Sequence, residues 1–202
     1  MGQKKFGYSP TYGKVEDIYY LKQKGKRYLI REHDLLEEEV NLPIGGRIFS
    51  SDYFHRIETI RIRIDIEQDL ESRGYQVLFY DQYFAGKKVE LKRSREAATK
   101  IATERGYLKA DSIFLVKAPN GKQFLFCLEY HNGHEVKRIE EQMRAYVEAM
   151  KIGSPSIKYD LEIGNRVINI FKKEQVMRTL KERMEHDVYF QNMMDRFVFC
   201  EV

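Results

Sequence analysis

Two acidic residues bracket the most orderly stretch of the chain. Asp111 stands just ahead of the apolar run Ile113-Phe114-Leu115-Val116, and Glu129 follows a second run, Phe124-Leu125-Phe126-Cys127-Leu128. Between the runs lies Pro119-Asn120-Gly121-Lys122, and an Asn-Gly turn joining two strand-like runs marks a β-hairpin. A hairpin brings the first residue of one strand beside the last residue of its partner, so Asp111 and Glu129 are expected as neighbours. Carboxylates held together at the end of a sheet repel unless a cation intervenes. Mg²⁺ and Mn²⁺ take hard oxygen ligands, and a divalent ion beside two carboxylates is the core of a phosphodiester-cleaving site. Solvated acidic residues are also common at strand ends, so the pair by itself does not decide the matter.

Residues near the pair extend the pattern. His55 and Glu58 lie three apart on an expected helix and face the same way, which makes His55 a candidate metal ligand or base. His131, two places after Glu129, has two readings. It is a donor, base or extra ligand, since imidazole titrates near neutrality and binds Mn²⁺ well, or it is a surface histidine on a site without catalysis. Gln142 and Tyr146 share a helix face at i, i+4, where they could reach a scissile phosphate or stand as a surface glutamine beside a core tyrosine. Asn132-Gly133-His134-Glu135 is a polar turn at a helix start, suited to an anion or to simple capping. Serine-nucleophile patterns, phosphate-binding loops and dinucleotide fingerprints do not occur.

The order Asp111, hairpin, Glu129-x-His131, then a helix with Gln142-x-x-x-Tyr146 resembles the PD-(D/E)xK nuclease superfamily, with His131 where that superfamily usually has lysine. A wider resemblance runs from Tyr19 to Glu135. Tyr19-Tyr20-Leu21-Lys22-Gln23-Lys24-Gly25, His55-Arg56-Ile57-Glu58, Gly74-Tyr75-Gln76-Val77-Leu78-Phe79-Tyr80, Asp111, Glu129 and Gly133-His134-Glu135 are similar to the replication-relaxation family of plasmid proteins, which includes relaxases of the MobC type. Members of that family pair a winged-helix DNA-binding module with a nuclease-like domain.

The resemblance implies an α/β (α+β) fold with a PD-(D/E)xK nuclease-like core, a mixed central sheet flanked by helices. At the N-terminus it implies a partial winged helix, a wing without the helices that precede it in the family. It also implies metal-dependent nicking or relaxation of plasmid or mobile-element DNA with Mg²⁺ or Mn²⁺, in which Asp111, Glu129, His131 and Gln142 are catalytic. Glu58, ahead of Asp65, is the acid expected from the first core helix. The alternative keeps the scaffold without catalysis, as a DNA-binding accessory of replication or mobilisation. Many relaxases use a tyrosine, and 14 tyrosines leave that choice open.

Composition bounds these readings. The 202 residues are 43% hydrophobic and 33% charged, which suits an ordinary globular chain rather than a disordered one. No run approaches the roughly 20 apolar residues of a membrane span, and no apolar segment follows Lys4-Lys5, so a cytoplasmic home without membrane contact is expected. Cys127 and Cys200 sit in apolar runs, where free cysteine behaves as a small hydrophobe. The net charge of +4 is a mild basic bias. Lys87, Lys88, Lys92, Arg93 and Arg95, with Lys100 and Arg105, crowd the segment before Asp111, and Lys22, Lys24 and Lys26 belong to a basic N-terminus. Lys87, Lys88, Lys92, Arg93, Arg95, Lys22, Lys24 and Lys26, with Tyr146, are the candidate DNA contacts, although solvated loops are also basic. A second copy of the chain is the other partner considered.

Several elements must position these residues. Residues 1–45 read as a loose arm and wing, with Val15 to Leu21 a strand, Lys22-Gln23-Lys24-Gly25 a turn, and Lys26 to Arg31 a second strand or a helical turn. Pro43 and Gly45-Gly46 mark a linker, and residues 46–202 form the nuclease-like domain. Ser51 to Ser72 reads as a helix ended by Gly74, apolar on two sides, although Ile60-Arg61-Ile62-Arg63-Ile64 also alternates like a strand. A strand over Gln76 to Tyr80 follows, then a helix within Glu96 to Glu104, the hairpin, and a helix over His134 to Lys151. Beyond the Gly153-Ser154-Pro155 break come a strand at Val167 to Phe171, a helix over Lys173 to His186, a further helical turn over Val188 to Met193, and a last strand at Phe197 to Cys200.

Overall fold

A computed structural model of the chain describes residues 1–5, 7–9, 13–37, 40, 42, 53–84, 86–88 and 95–202, in two compact units, Met1–Tyr53 and Phe54–Val202. The linker expected near residue 45 falls largely outside the described residues.

In the first unit, strands β1 (Gly2–Lys4), β2 (Tyr8–Ser9), β3 (Gly13–Lys14) and β4 (Ile18–Tyr20) pair as β1 with β4 and β2 with β3, both antiparallel. The expected wing is replaced at its second half by a helix, α1 (Gln23–Glu32), so that Lys22 is the N-cap residue and Lys24 and Lys26 ride on helical turns. Gly25 is the reason the segment is misread as a turn. A β-carbon there would lie 2.7 Å from Leu21 Cδ1, so this glycine gives room for a close approach inside the helix rather than a reversal. Lys26 is tied down, its ammonium donating to the Glu37 carbonyl at 2.7 Å.

From its second residue, Phe54, α2 (Tyr53–Ser72) belongs to the second unit and is followed by β5 (Gln76–Gln82), the short strands β6 (Gly86–Lys88) and β7 (Arg95–Ala97), and the hairpin β8 (Lys100–Thr103) with β9 (Gly106–Lys109). Then come β10 (Ser112–Lys117), β11 (Gln123–His131), α3 (Val136–Lys151), the short α4 (Ser154–Ile157), β12 (Asn165–Phe171), α5 (Glu174–His186) and β13 (Phe197–Glu201). A mixed sheet runs in the order β13-β12-β11-β10-β5. β5, β10 and β11 are antiparallel neighbours, whereas β11, β12 and β13 are parallel. The antiparallel half is made by local turns; the parallel half needs crossovers through α3 and α5.

Both faces of the sheet are covered. Ile62, Ile66 and Leu70 of α2 pack on Phe114, Val116, Leu128, Tyr130 and Ile170. On the opposite face Ile139, Met143 and Val147 of α3 and Leu180 and Met184 of α5 meet Ile113, Leu115, Leu125, Cys127, Val167 and Phe171. Only one stripe of α2 enters this core, since Ile64 on the other side is 47% exposed. The helix expected over Glu96 to Glu104 is instead strand and turn. Ile101 and Leu108 face each other across the β8–β9 pair and are both buried, which a period of two achieves here. Val188 to Met193 is likewise not a regular helix: Asp187 accepts from the Tyr189 N–H at 2.9 Å, and a 3₁₀ turn follows at Met194–Arg196. Among the described residues no helix is long and apolar enough to cross a membrane.

Candidate functional site

The hairpin delivers the two carboxylates to one end of the sheet. Ala118 N–H donates to the Lys122 carbonyl at 2.8 Å, and Asn120 Oδ1 accepts from Lys122 N–H at 3.1 Å, closing the turn between β10 and β11. Ser112 then pairs with Leu128, and Asp111 and Glu129 are the next positions in register.

Glu129 points toward α3, in step with Leu125 and Cys127 along the strand, and only 3% of it is exposed. The Tyr146 hydroxyl donates to its Oε1 at 2.5 Å. Burial holds the Glu129 carboxyl well above the usual carboxylate range, and the nearby negative charge of Asp111 adds to that effect, while Tyr146, Gln142 and Arg138 oppose it. Burial and the Glu129 charge likewise hold the Tyr146 phenol far above its ordinary value, so it is a donor throughout. Tyr146 is fully buried, and its place among the candidate DNA contacts is corrected accordingly: its hydroxyl serves Glu129, not a phosphate at the surface. Gln142 stands one turn earlier on α3, close enough to favour the charged form of Glu129.

Asp111 is held by two different donors. Tyr130 N–H donates to Oδ2 at 2.8 Å, and His55 Nε2 lies 2.8 Å from Oδ1. An ionised Asp111 can only accept, so His55 Nε2 carries the proton in that pair. The imidazole also lies among aromatic rings, with centroids 5.6 Å from Tyr130 and 5.8 Å from Tyr83. His55 therefore reaches the candidate site from α2, on the opposite face of the sheet from Tyr146.

His131 is buried rather than open to a cleft. Its Nε2 lies 3.1 Å from Asn169 Oδ1, its ring centroid is 4.7 Å from that of Phe171, and 5% of it is exposed. Burial lowers its proton affinity below the ordinary histidine value, the Asn169 hydrogen bond and the Asp111 charge pulling the other way. The neutral ring with Nε2–H donating to Asn169 is the form that suits this pocket. Glu58 stands apart: its carboxylate is 2.8 Å from Arg61 on the same helix and is not joined to the Asp111 and Glu129 pair in a metal-holding group. Among the described residues no three histidine, cysteine, aspartate or glutamate side chains converge on one point.

Lys87 and Lys88 lie on β6 and Arg95 on β7, with Lys88 paired to Arg95; Lys92 and Arg93 lie outside the described residues. Two functional groups were missed by sequence reasoning. Asn169 had a signal, a lone amide inside Val167-Ile168-Asn169-Ile170-Phe171, where a buried polar residue is the informative oddity. The Tyr130 N–H had none, since backbone donors are invisible in a sequence.

No protein-family model, no curated protein and no solved structure matches the chain.

Proposed function

We propose that the second unit is a metal-dependent DNA-nicking domain of the PD-(D/E)xK type, acting on plasmid or mobile-element DNA with Mg²⁺ or Mn²⁺. The observation that carries this reading is the placement of Asp111 and Glu129 at adjacent register positions at the end of a mixed sheet built as helix, three strands, helix, strand. The donor chemistry fits a divalent ion. Burial and, after it, the neighbouring Asp111 charge raise the proton affinity of Glu129, and a hard cation would offset that negative charge where a proton otherwise must. Asp111 and Glu129 would hold it, while His55, whose Nε2 bonds Asp111 at 2.8 Å, would orient that carboxylate.

When bound, the ion supplies Lewis-acid polarisation of a phosphodiester. The chain's own groups do the rest. Tyr130 N–H fixes the Asp111 carboxylate, and Asp111 in turn orients the His55 imidazole. Tyr146 and Gln142 favour the ionised form of Glu129 as its proton leaves.

The test is supercoiled plasmid incubated with the chain, with and without Mn²⁺. Nicked circles that need both the ion and Asp111 support the reading, whereas supercoiled DNA left intact in every arm overturns it. One observation favours the second reading, a DNA-binding accessory of replication or mobilisation on the same scaffold: His131, in the place of the usual lysine, is packed against Phe171 and bound to Asn169. Both readings require DNA binding. Replacing Lys92, Arg93 and Arg95 by alanine is expected to lower the slope of log affinity against log salt by about 0.9 for each phosphate no longer neutralised. An unchanged slope would assign those side chains to plain solvation.

A further inference from the structure

The opposite end of the sheet holds a second basic feature. A pocket of about 260 Å³ opens there, lined by Lys122, Phe124, Phe126, Gly164, Arg166 and Arg196 among others, and none of its lining residues is acidic. Five residue steps along β11 lead from Phe124 to Glu129, about 17 Å at roughly 3.3 Å per step. The pocket is thus remote from the Asp111 and Glu129 corner.

One strand and two turns bring its cations together. Arg166 lies on β12 opposite Phe126, and Arg196 is the last residue of the 3₁₀ turn that leads into β13, so both side chains line the pocket. Cations gathered at one pocket repel unless an anion or a carboxylate offsets them. Their compensation within the chain is slight: Asp195 Oδ2 lies 3.6 Å from Arg196 Nε on an exposed side chain, and among the described residues no carboxylate pairs with Arg166. Lys122 completes the group, its ammonium 5.4 Å from the Phe124 ring centroid. Gly164 keeps the mouth open for Arg196. A β-carbon at 164 would lie 2.7 Å from Arg196 Nη1, inside any normal separation, so the glycine is what lets the guanidinium lie where it does.

We propose that this pocket, through Lys122, Arg166 and Arg196, binds a phosphoryl group carried by a free nucleoside phosphate or by the end of a nucleic acid strand. Paired guanidinium forks match the oxygens of a tetrahedral anion, and three cations suit its double charge better than the single charge of a carboxylate. The volume accommodates a phosphate with part of a nucleoside, not a duplex. The proposal does not depend on metal chemistry at the other end of the sheet.

Titrating the full chain with inorganic phosphate, at fixed ionic strength made up with chloride, should give saturable binding by calorimetry and a rise in Tm. The double variant Arg166→Gln with Arg196→Gln is expected to weaken that binding about tenfold or more, the scale of removing charge-assisted hydrogen bonds. Without phosphate the same variant should melt no lower than the parent chain, because Arg166 is exposed and Arg196 holds only a long contact to the exposed Asp195. Gly164→Ala should also weaken phosphate binding, by displacing the end of Arg196. Absence of saturable binding, or unchanged affinity in the double variant, would overturn the proposal. Competition by a nucleoside monophosphate alone assigns a free ligand; competition also by a 5′-phosphorylated oligonucleotide, but not by its unphosphorylated form, assigns a strand end. Competition by neither would overturn it as well.

Discussion

Glu129→Gln is expected to abolish Mn²⁺-dependent nicking, by about 10³-fold, while making the protein harder to unfold. The drop in activity follows from removing one of two anionic oxygen ligands, since a catalytic ion supplies several kcal/mol of charge stabilisation and each ~1.4 kcal/mol is a factor of ten. The gain in stability follows from the same burial. The folded-state proton affinity of Glu129 is raised above its unfolded value. Its favourable contribution is complete below the ordinary carboxylate range and is lost as pH rises through the raised value. Glutamine mimics the protonated form, keeps an acceptor for the Tyr146 hydroxyl, and has no charge to bury. The difference in Tm between variant and parent should therefore grow as pH rises from 5 to 8. Thermal melts at several pH values, run beside the plasmid assay, check both halves. A variant that nicks like the parent would remove Glu129 from the site, and one that melts lower at pH 8 would refute the account of its burial.

His131→Ala separates the two functional readings. If the imidazole serves as a base or donor in a working site, its removal should lower nicking by about 10²-fold, the lower end of the range for a general acid or base, with DNA affinity little changed. The pH dependence carries a separate signature. Because burial depresses the proton affinity of His131, its share of stability is present above the ordinary histidine value, and it is lost as pH falls through the depressed value. The parent should lose stability on mild acidification in a way the alanine variant does not. Metal-dependent nicking that survives the substitution would leave Asp111 and Glu129 as the pair and reduce His131 to a buried partner of Asn169.

Much of the scaffold was legible because its patterns are local. The Asn120-Gly121 turn, the apolar runs on either side, and the stop at Gly74 specify β10, β11 and the end of α2 from a few residues each. The misreadings arose where one residue type serves two ends. Gly25 reads as a turn but makes room for Leu21 inside α1, and the segment from Glu96 to Glu104 carries helix-forming residues although Ile101 and Leu108 are buried by a two-residue period. At the candidate site, the spacing of Asp111 and Glu129 was readable while their surroundings were not. Which side of β11 a residue faces decides that Glu129 meets Tyr146 and that His131 meets Asn169, and that depends on packing from helices distant in sequence. Tyr146 shows the limit most clearly. Helical spacing already allowed a core tyrosine there, and the packing of α3 on the sheet settles it over the DNA contact also expected of it.

The mixed character of the sheet also sets an order of assembly. β10 and β11 are joined by residues 118–122, whereas the step from β11 to β12 must wait for residues 132–164 to fold back as a crossover. Closing the short connection costs less chain entropy than closing the long one, and local pairings form before distant ones are rewarded. Asp111 and Glu129 belong to the early hairpin, while Tyr146 and Asn169 arrive with the late elements. On that order the two carboxylates meet while still hydrated and lose their water only when α3 and β12 dock over them.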